Sequence, residues 1–186
     1  RWEELKDLVL KGTEAETLPH LGDVTDLLKP SRVDLRLEIK AGPDQQRYAG
    51  IEAIVADVLA SAGMLERTVI TSFDWDMLTD FRAHADPKGF IGLIKRDECL
   101  QKGGVEAALR RLADTGLTEL AVHESQISGD DVAAALDLGL RLGAYAAHEA
   151  SQIDRVLPAS ATTFTTDRPD TAVAIRRDPA ARSRPP

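Results

Sequence analysis

The residues best suited to chemistry lie in a strictly alternating segment near the amino end of the chain. Residues 34–40 read DLRLEIK, so charged and apolar side chains would occupy opposite faces of a β-strand. Glu38 and Lys40 end this strand on its charged face, and a carboxylate beside an ammonium suits a hard cation together with a phosphate oxygen. The same alternation is typical of a solvated edge strand in an antiparallel sheet, and the pattern alone leaves the two interpretations equal.

Small polar residues follow two further β-branched runs. The first run ends TSFD at 71–74, and the second ends TTDRPD at 165–170. For Asp74 and Asp170 the favoured interpretation is a helix N-cap at a strand-to-helix junction, because a short carboxylate there accepts from free backbone N–H groups. The four histidines have no spacing typical of a metal pair or a nucleophile triad and are expected to be structural: His20, His84, His123 and His148.

Short strands that alternate with amphipathic helices must position these residues. Six strand candidates begin about 20 to 35 residues apart, which is the length of one strand–helix crossover. They are Val33–Lys40, Thr68–Phe73, Gly89–Leu93, Glu119–Val122, Arg141–Tyr145 and Thr163–Thr166. Helical periodicity lies between them, as at residues 51–62 and 105–112, with a glycine stop after each. Ser128 is predicted to cap the helix that follows it.

This alternation predicts an α/β fold with a parallel sheet. No glycine-rich turn follows any strand, so the usual sign of a dinucleotide-binding open sheet is missing. A closed (β/α)₈ TIM-type barrel takes about 250 residues, whereas this chain has 186 and six units. We therefore expect an incomplete barrel that lacks about two units. An open six-unit sheet, which would need no missing piece, is the alternative.

The composition excludes several function classes. A net charge of −8 argues against general nucleic-acid binding, because phosphate backbones favour basic surfaces. No apolar run approaches the roughly 20 residues that a transmembrane helix needs. Cys99 is the only cysteine, which excludes a disulfide framework and a cysteine metal site. The chain starts at Arg1 with no signal-like segment after it, so we expect upstream residues to have been removed. The sequence leaves the cellular compartment open, and we favour the cytoplasm.

Six short stretches of this sequence form a further pattern. They read LP at 18–19, LEIK at 37–40, YAGIE at 48–52, VITSFD at 69–74, GLRLGAY at 139–145 and TTDRPD at 165–170. In their order and spacing, from about residue 17 to residue 175 and so over nearly the whole chain, they resemble the glycerophosphodiester phosphodiesterase family.

The resemblance implies a (β/α)₈ barrel that hydrolyses glycerophosphodiesters, small molecules of phospholipid metabolism, to an alcohol and glycerol 3-phosphate. It also implies a divalent cation, usually Mg²⁺ or Ca²⁺. By the same resemblance Val33–Lys40 is the third barrel strand and Thr163–Thr166 is the eighth. Residues 1–175 are then a barrel domain without its first two units, and residues 176–186, which show no apolar pattern, are expected to be a disordered tail.

The resemblance also assigns roles to the candidate site residues. Glu38 corresponds to a metal-binding carboxylate, and Lys40 corresponds to a basic residue at the phosphate. Ser72 and Phe73 match a motif near the pocket wall. Tyr145 stands where the family usually has a tryptophan that lines the glycerol pocket. No catalytic residue is assigned within this chain, because the two catalytic histidines and the other metal carboxylates of the family belong to units upstream of it.

Departures from the family pattern leave two alternatives open. At 145–148 this chain reads YAAH where the family has tryptophan, threonine, valine and asparagine, and His148 does not correspond to a catalytic histidine. One alternative is a barrel that has lost catalysis and serves as a binding or scaffolding domain. The other is a related phosphate-using barrel that acts on sphingolipid or lysophospholipid headgroups. The chain alone is expected to be inactive, and its unpaired strand edges are expected to cause oligomerisation or aggregation.

Overall fold

The computed structural model describes residues 2–177, in which helices and short strands alternate. The helices are α1 Trp2–Leu5, α2 Leu21–Leu28, α3 Ile51–Ser61, α4 Trp75–Phe81, α5 Arg96–Gln101, α6 Gly104–Asp114, α7 Gly129–Asp137, α8 Ala150–Val156 and α9 Pro169–Arg177. The strands are β1 Leu35–Glu38, β2 Thr68–Ser72, β3 Gly89–Leu93, β4 Glu119–His123 and β5 Arg141–Tyr145. Within residues 2–177 none of the helices is both long enough and apolar enough to traverse a lipid bilayer.

The strands form one five-stranded parallel sheet in their order along the chain, β1-β2-β3-β4-β5. The parallel register places Leu93 of β3 beside Ala121 of β4, and His123 of β4 beside Tyr145 of β5. Sequential order with a helix in each connection is the pattern of a (β/α) barrel, in which each new strand adds beside the previous one. Among the described residues the sheet does not close on itself, so the predicted incomplete barrel is confirmed.

The sixth predicted strand, Thr163–Thr166, is reduced to a single parallel bridge between Ala144 and Phe164. Ala144 N donates to Thr163 O over 2.9 Å, and Thr165 N donates to Ala144 O over 3.1 Å. The segment therefore adds to the edge of β5 in the predicted place. Its ladder is too short for a regular strand.

The chain divides into two compact units. The first comprises the residues up to Leu37, Ala41–Ile70 and Asp80–Gly89, and the second comprises Glu38–Lys40, Thr71–Thr79 and the chain from Phe90 onward. Every candidate site residue predicted from the sequence lies in the second unit. The ends of β1 and β2, together with nearly all of the later strands, are thus parts of one compact body.

Polar side chains satisfy the two ends of helix α2 in the first unit. His20 Nδ1 accepts a backbone N–H at the start of the helix, and Asp23 Oδ2 accepts from His20 N over 2.9 Å. After the helix, the Arg67 guanidinium donates to Leu28 O over 3.3 Å and to Val33 O over 2.6 Å. Since Arg67 directly precedes β2 and Val33 precedes β1, these bonds set where the two strands start.

The core of the second unit lies between the strands and their covering helices. Its fully buried side chains include Met77, Leu109, Leu112, Leu120, Leu142 and Ile153. Helix α7 has the predicted cap: Ser128 Oγ accepts from Asp131 N over 3.2 Å, and Asp131 Oδ2 accepts from Ser128 N over 3.0 Å. Such a reciprocal pair satisfies two backbone donors that the first turn leaves free.

One of the two predicted aspartate caps is confirmed and the other is wrong. Asp74 Oδ1 accepts from Met77 N over 3.2 Å at the start of α4. Asp170, by contrast, is the second residue of α9 and pairs with Arg168 at 3.3 Å. The helix starts at Pro169, two residues earlier than an N-cap at Asp170 would place it, because Pro169, with its fixed φ and no N–H, suits the first helical position.

The predicted tail also begins too early. Arg176 and Arg177 are the last two residues of α9, and Ile175 before them is buried. Basic side chains in the last turn of a helix are favourable because they face the negative end of the helix dipole. Residues 178–186, the remainder of the predicted tail, lie outside the described residues.

Gly92 provides a test of how closely β3 packs against its helices. A Cβ at Gly92 would stand 2.6 Å from Leu112 Cδ1 and 3.0 Å from Trp75 Nε1, and Trp75 Nε1 is held by a 2.8 Å bond to Leu93 O. Since Leu112 is fully buried, neither neighbour can move freely. We expect Gly92→Ala to lower the free energy of unfolding by about 1–3 kcal/mol in urea denaturation. Gly89→Ala, where the added methyl meets open space, is the matched control, and equal losses in the two variants would contradict the packing.

Candidate functional site

The structure brings together Glu38, the last residue of β1, and Lys40, which the sequence placed in the strand and which lies two residues beyond its end. Lys40 Nζ lies 3.7 Å from Glu38 Oε2, and the two side chains are 73% and 31% exposed. Ile39 between them is buried, as alternation along an extended chain requires. Ile39 N donates to Thr71 O over 2.9 Å, which joins this segment to the end of β2. The pair is therefore accessible to solvent and close enough to share one ionic ligand.

One oxygen of Glu38 is buried without a hydrogen-bond partner. Oε2 faces Lys40, whereas Oε1 is shielded from solvent and has no donor among residues 2–177. Burying such an oxygen unpaired is costly, and a hard cation is a ligand that would satisfy it. Glu38 therefore fits the role of one metal ligand. Within the described part of the chain, no three His, Cys, Asp or Glu side chains gather around a common ion position, so Glu38 would supply only part of a coordination sphere.

Ser72 is occupied by contacts within the protein. Its hydroxyl is almost completely buried, donates to Ile39 O over 2.8 Å and accepts from Asp74 N over 3.1 Å. It also lies 3.8 Å from Met77 Sδ in helix α4. These bonds join the end of β1 to the end of β2 and support the start of α4. We accordingly give Ser72 a structural role and assign it no contact with substrate.

The register of the sheet decides which strand residues share a face. A Cβ at Gly92 would point at Leu112 and Trp75, so Gly92 faces the helices that cover the sheet. Side chains alternate along each strand, and parallel neighbours in register point the same way. Leu93, the neighbour of Gly92, therefore points away from the helices, and so does Ala121, which pairs with it. His123 lies two residues after Ala121 and pairs with Tyr145. Both of these rings accordingly lie on the face away from the helices. That face is the interior of a barrel.

The aromatic rings of Phe73 and Tyr145 meet across this inner face and form what we call the aromatic wall. The ring centroids of Phe73 and Tyr145 are 5.7 Å apart with an interplanar angle of 84°, an edge-to-face geometry that aromatic pairs prefer. Phe73 follows β2 and Tyr145 ends β5, so two strands lie between them in the sheet. The Tyr145 hydroxyl also donates to Ile94 O, just beyond β3, over 2.9 Å. Strand ends that are distant in the sheet order are therefore close in space, as the curvature of a barrel requires.

Burial makes Tyr145 of the aromatic wall a weaker acid. It raises the pKa of the Tyr145 phenol above the ordinary tyrosine value, and the nearby Cys99 and Asp97 contribute in the same direction. The phenol therefore stays protonated at neutral pH and keeps its bond to Ile94 O. The ring is fixed in place and offers its face and edge, rather than a charge, to anything bound beside it.

Sequence reasoning missed His123 as part of this wall. Its ring centroid lies 5.5 Å from that of Tyr145, at an interplanar angle of 88°. The sequence placed His123 at a strand end but offered no way to know which strand end it would face. The parallel pairing of His123 with Tyr145 is the signal that could have found it, and that pairing is visible only in the structure.

His148 makes contacts with two loops near this wall. Its Nδ1 accepts from Asp167 N over 3.1 Å, and its backbone N–H donates to Gln152 Oε1 over 2.9 Å. The imidazole thereby connects the loop after β5 to the segment that leads into α9. Nδ1 also lies 3.3 Å from Asp167 Oδ2, and the two side chains are 41% and 85% exposed. His148 thus supports the loops around the wall and has an exposed carboxylate beside it.

The comparisons with known proteins rest on structure. No family model and no curated protein matches the sequence. A protein described as a glycerophosphoryl diester phosphodiesterase, from Agrobacterium tumefaciens, superposes on this chain with a TM-score of 0.87 at 28% sequence identity. The superposition covers 97% of this chain and 72% of that one. A second, from Silicibacter pomeroyi, has a TM-score of 0.79 at 25% identity, over 88% of this chain and 58% of that one. The structural neighbours of this chain are glycerophosphodiester phosphodiesterases.

The resemblance to that family inferred from the sequence is thereby confirmed, and the chain spans between about half and three quarters of these neighbours. A phosphodiesterase from Oleispira antarctica, in complex with its product sn-glycerol 3-phosphate, shares the fold at 16% identity with a TM-score of 0.63. The superposition covers 87% of this chain and 62% of the Oleispira antarctica chain. At that identity the likeness concerns the fold alone.

The raised pKa of Tyr145 predicts how stability depends on alkaline pH. As the pH rises, the unfolded chain loses this proton before the folded chain does. The stabilising contribution of Tyr145 is therefore complete below about pH 10, the ordinary tyrosine value, and is lost as the pH rises through the higher folded-state pKa. The difference in unfolding free energy between wild type and Tyr145→Phe should be constant below about pH 9 and shrink above about pH 10. Urea denaturation across this range measures it, and a difference unchanged at high pH would contradict the burial.

Proposed function

We propose that the protein from which this chain comes is a phosphoric diester hydrolase that cleaves glycerophosphodiesters to an alcohol and glycerol 3-phosphate. The observation that carries the proposal is the pair Glu38 and Lys40, which lie 3.7 Å apart at the carboxyl end of β1. In a barrel, functional groups come from the carboxyl ends of the strands. The fold of the structural neighbours supports the same reaction class.

The charges of the pair suit a phosphodiester. Lys40 is an exposed cation that can hold a phosphate oxygen and offset the negative charge that develops as the phosphorus is attacked. Glu38 has a buried oxygen without a donor and would be one ligand of a divalent cation, Mg²⁺ or Ca²⁺. Such an ion, when bound, polarises the phosphoryl oxygens. The further ligands would come from outside the described residues, where the family resemblance also places the catalytic histidines.

The aromatic wall suits the organic part of such a substrate. Phe73 and Tyr145 present hydrocarbon surface on the inner face of the sheet, and carbon-bound hydrogens of a glycerol chain pack well on aromatic rings. Phosphate and glycerol would then be held by different walls of one site.

A second candidate function is a barrel that binds a phosphate ligand without cleaving it. The observation in its favour is that residues 2–177 contain no group of carboxylates and histidines that could hold a metal. Both candidates predict a phosphate site at Lys40. They differ in whether a metal and a general acid join it in the whole protein.

The first experiment separates these functions by turnover. For the chain of residues 1–186 we expect no hydrolysis of glycerophosphocholine, because loss of a general acid alone reduces the rate by about 10² to 10⁴. Release of glycerol 3-phosphate, followed with a coupled assay in the presence of Mg²⁺ or Ca²⁺, is the measurement. Appreciable turnover by this chain would show that the catalytic groups lie among the residues present here.

The second experiment tests the charged pair by ligand binding. Lys40→Gln should weaken binding of sn-glycerol 3-phosphate by about tenfold or more, since a hydrogen bond from a charged group contributes about 1.5–3 kcal/mol. Glu38→Gln should abolish any increase in affinity that Mg²⁺ or Ca²⁺ produces, because the amide keeps the shape of the carboxylate without its charge. Isothermal titration calorimetry measures both effects.

Matched controls come from exposed residues of the same types. Lys11→Gln and Glu14→Gln alter charges that lie outside the second unit, and they should leave both affinities unchanged. If Lys11→Gln weakens binding as much as Lys40→Gln does, the effect is one of net charge and the proposed phosphate site is wrong.

A further inference from the structure

The aromatic wall contains one polar group that the proposed reaction does not use. His123 ends β4 beside Tyr145 on the inner face of the sheet, and its side chain is 26% exposed. Its Nδ1 accepts from Ser125 N over 3.2 Å and lies 2.9 Å from Ser125 Oγ. Its Nε2 makes no hydrogen bond with any residue from 2 to 177. The imidazole therefore has one nitrogen committed to the protein and one available to a ligand.

The committed nitrogen determines what the available one offers. Because Nδ1 accepts the Ser125 backbone N–H, the neutral ring carries its proton on Nε2. His123 thus presents a hydrogen-bond donor at the edge of an otherwise apolar wall. Such a single directed donor beside aromatic rings suits an uncharged oxygen on a hydrocarbon chain, whose carbons pack on the rings while the oxygen accepts the bond.

The backbone around His123 is held by an ion pair whose carboxylate is buried. The Glu124 side chain is only 5% exposed; its Oε2 pairs with Arg155, and its Oε1 accepts from Gln152 Nε2 over 3.3 Å. Both partners belong to helix α8. The segment that carries His123 is therefore tied to α8 on one side and to Tyr145 on the other. A donor that is already held in place loses little conformational entropy when it binds a ligand.

We propose that His123 is a specificity-determining residue, which donates Nε2–H to a hydroxyl oxygen of the glycerol part of the substrate. This inference rests on the proposed function, because it takes the phosphate of the same ligand to lie at Lys40. His123 then distinguishes a phosphate ester that carries free hydroxyl groups from one with a plain alkyl chain. It contributes to selection of the ligand and leaves the bond-breaking step to other groups.

The test compares two phosphate monoesters that differ only in their hydroxyl groups, sn-glycerol 3-phosphate and n-propyl phosphate. Wild type should bind sn-glycerol 3-phosphate the more tightly of the two. His123→Leu should weaken binding of sn-glycerol 3-phosphate by about three- to tenfold, the effect of one neutral hydrogen bond. The same change should leave n-propyl phosphate unaffected. Calorimetry at pH 8 measures the affinities, and circular dichroism confirms that the variant is folded.

A second variant and a spectroscopic measurement separate a hydrogen bond from a change in packing. His123→Gln keeps an N–H donor and should recover part of the lost affinity for sn-glycerol 3-phosphate. Long-range ¹H–¹⁵N spectra of the imidazole should show the Nε2–H tautomer, with the Nε2 signal moving on addition of sn-glycerol 3-phosphate but not of n-propyl phosphate. An Nδ1–H tautomer would overturn the proposal.

The remaining outcomes distinguish failure of this inference from failure of the proposed function. If both esters bind and Lys40→Gln weakens both, but His123→Leu affects both equally or neither, then the phosphate site stands and the role of His123 is wrong. If wild type binds neither ester, or Lys40→Gln changes neither affinity, then the phosphate site is absent and both proposals fail.

Discussion

The parallel register between neighbouring strands is the constraint on which the site depends. In a parallel sheet, side chains of paired residues point the same way, so the pairing of His123 with Tyr145 places two rings side by side on one face. The contact of Gly92 with the covering helices identifies the opposite face as the outer one. A shift of one residue in this register would place the two rings on opposite faces of the sheet and remove the wall.

Polar groups at the amino and carboxyl ends of the strands have different roles. Glu119, at the amino end, is buried and pairs with Arg141 Nε at 3.0 Å, while it accepts from Thr163 Oγ1 over 2.9 Å. Both of these partners of Glu119 belong to the chain itself, so the amino end of β4 serves stability. At the carboxyl ends, by contrast, Glu38 Oε1 is buried without a partner among residues 2–177, and the hydrogen bonds of the His123 ring to these residues involve Nδ1 only. Unsatisfied groups at one end and satisfied groups at the other are the division between function and stability that a barrel allows.

Several features were correctly predicted from the sequence because they depend on local physical chemistry. Alternation of charged and apolar residues predicted β1 and the proximity of Glu38 to Lys40, since side chains two residues apart in a strand share a face. The cap at Ser128 and the stops after α3 and α6 follow from backbone groups that helix ends leave free. The family resemblance, which rests on the order of six short motifs, added the expectation of a barrel, and the structural neighbours agree with it.

What the sequence alone determined is the succession of strands and helices, the charged pair at the end of β1 and the family likeness, since each depends on residues close together in the chain. Tertiary structure decided the rest. Only packing showed that the Ser72 hydroxyl is used up between Ile39 O and Asp74 N, and that Phe73 meets Tyr145 across two intervening strands. Sequence spacing carries no information on which strand ends face each other, because that depends on the curvature of the whole sheet. His123 therefore became a candidate only once its neighbour across the ladder was known.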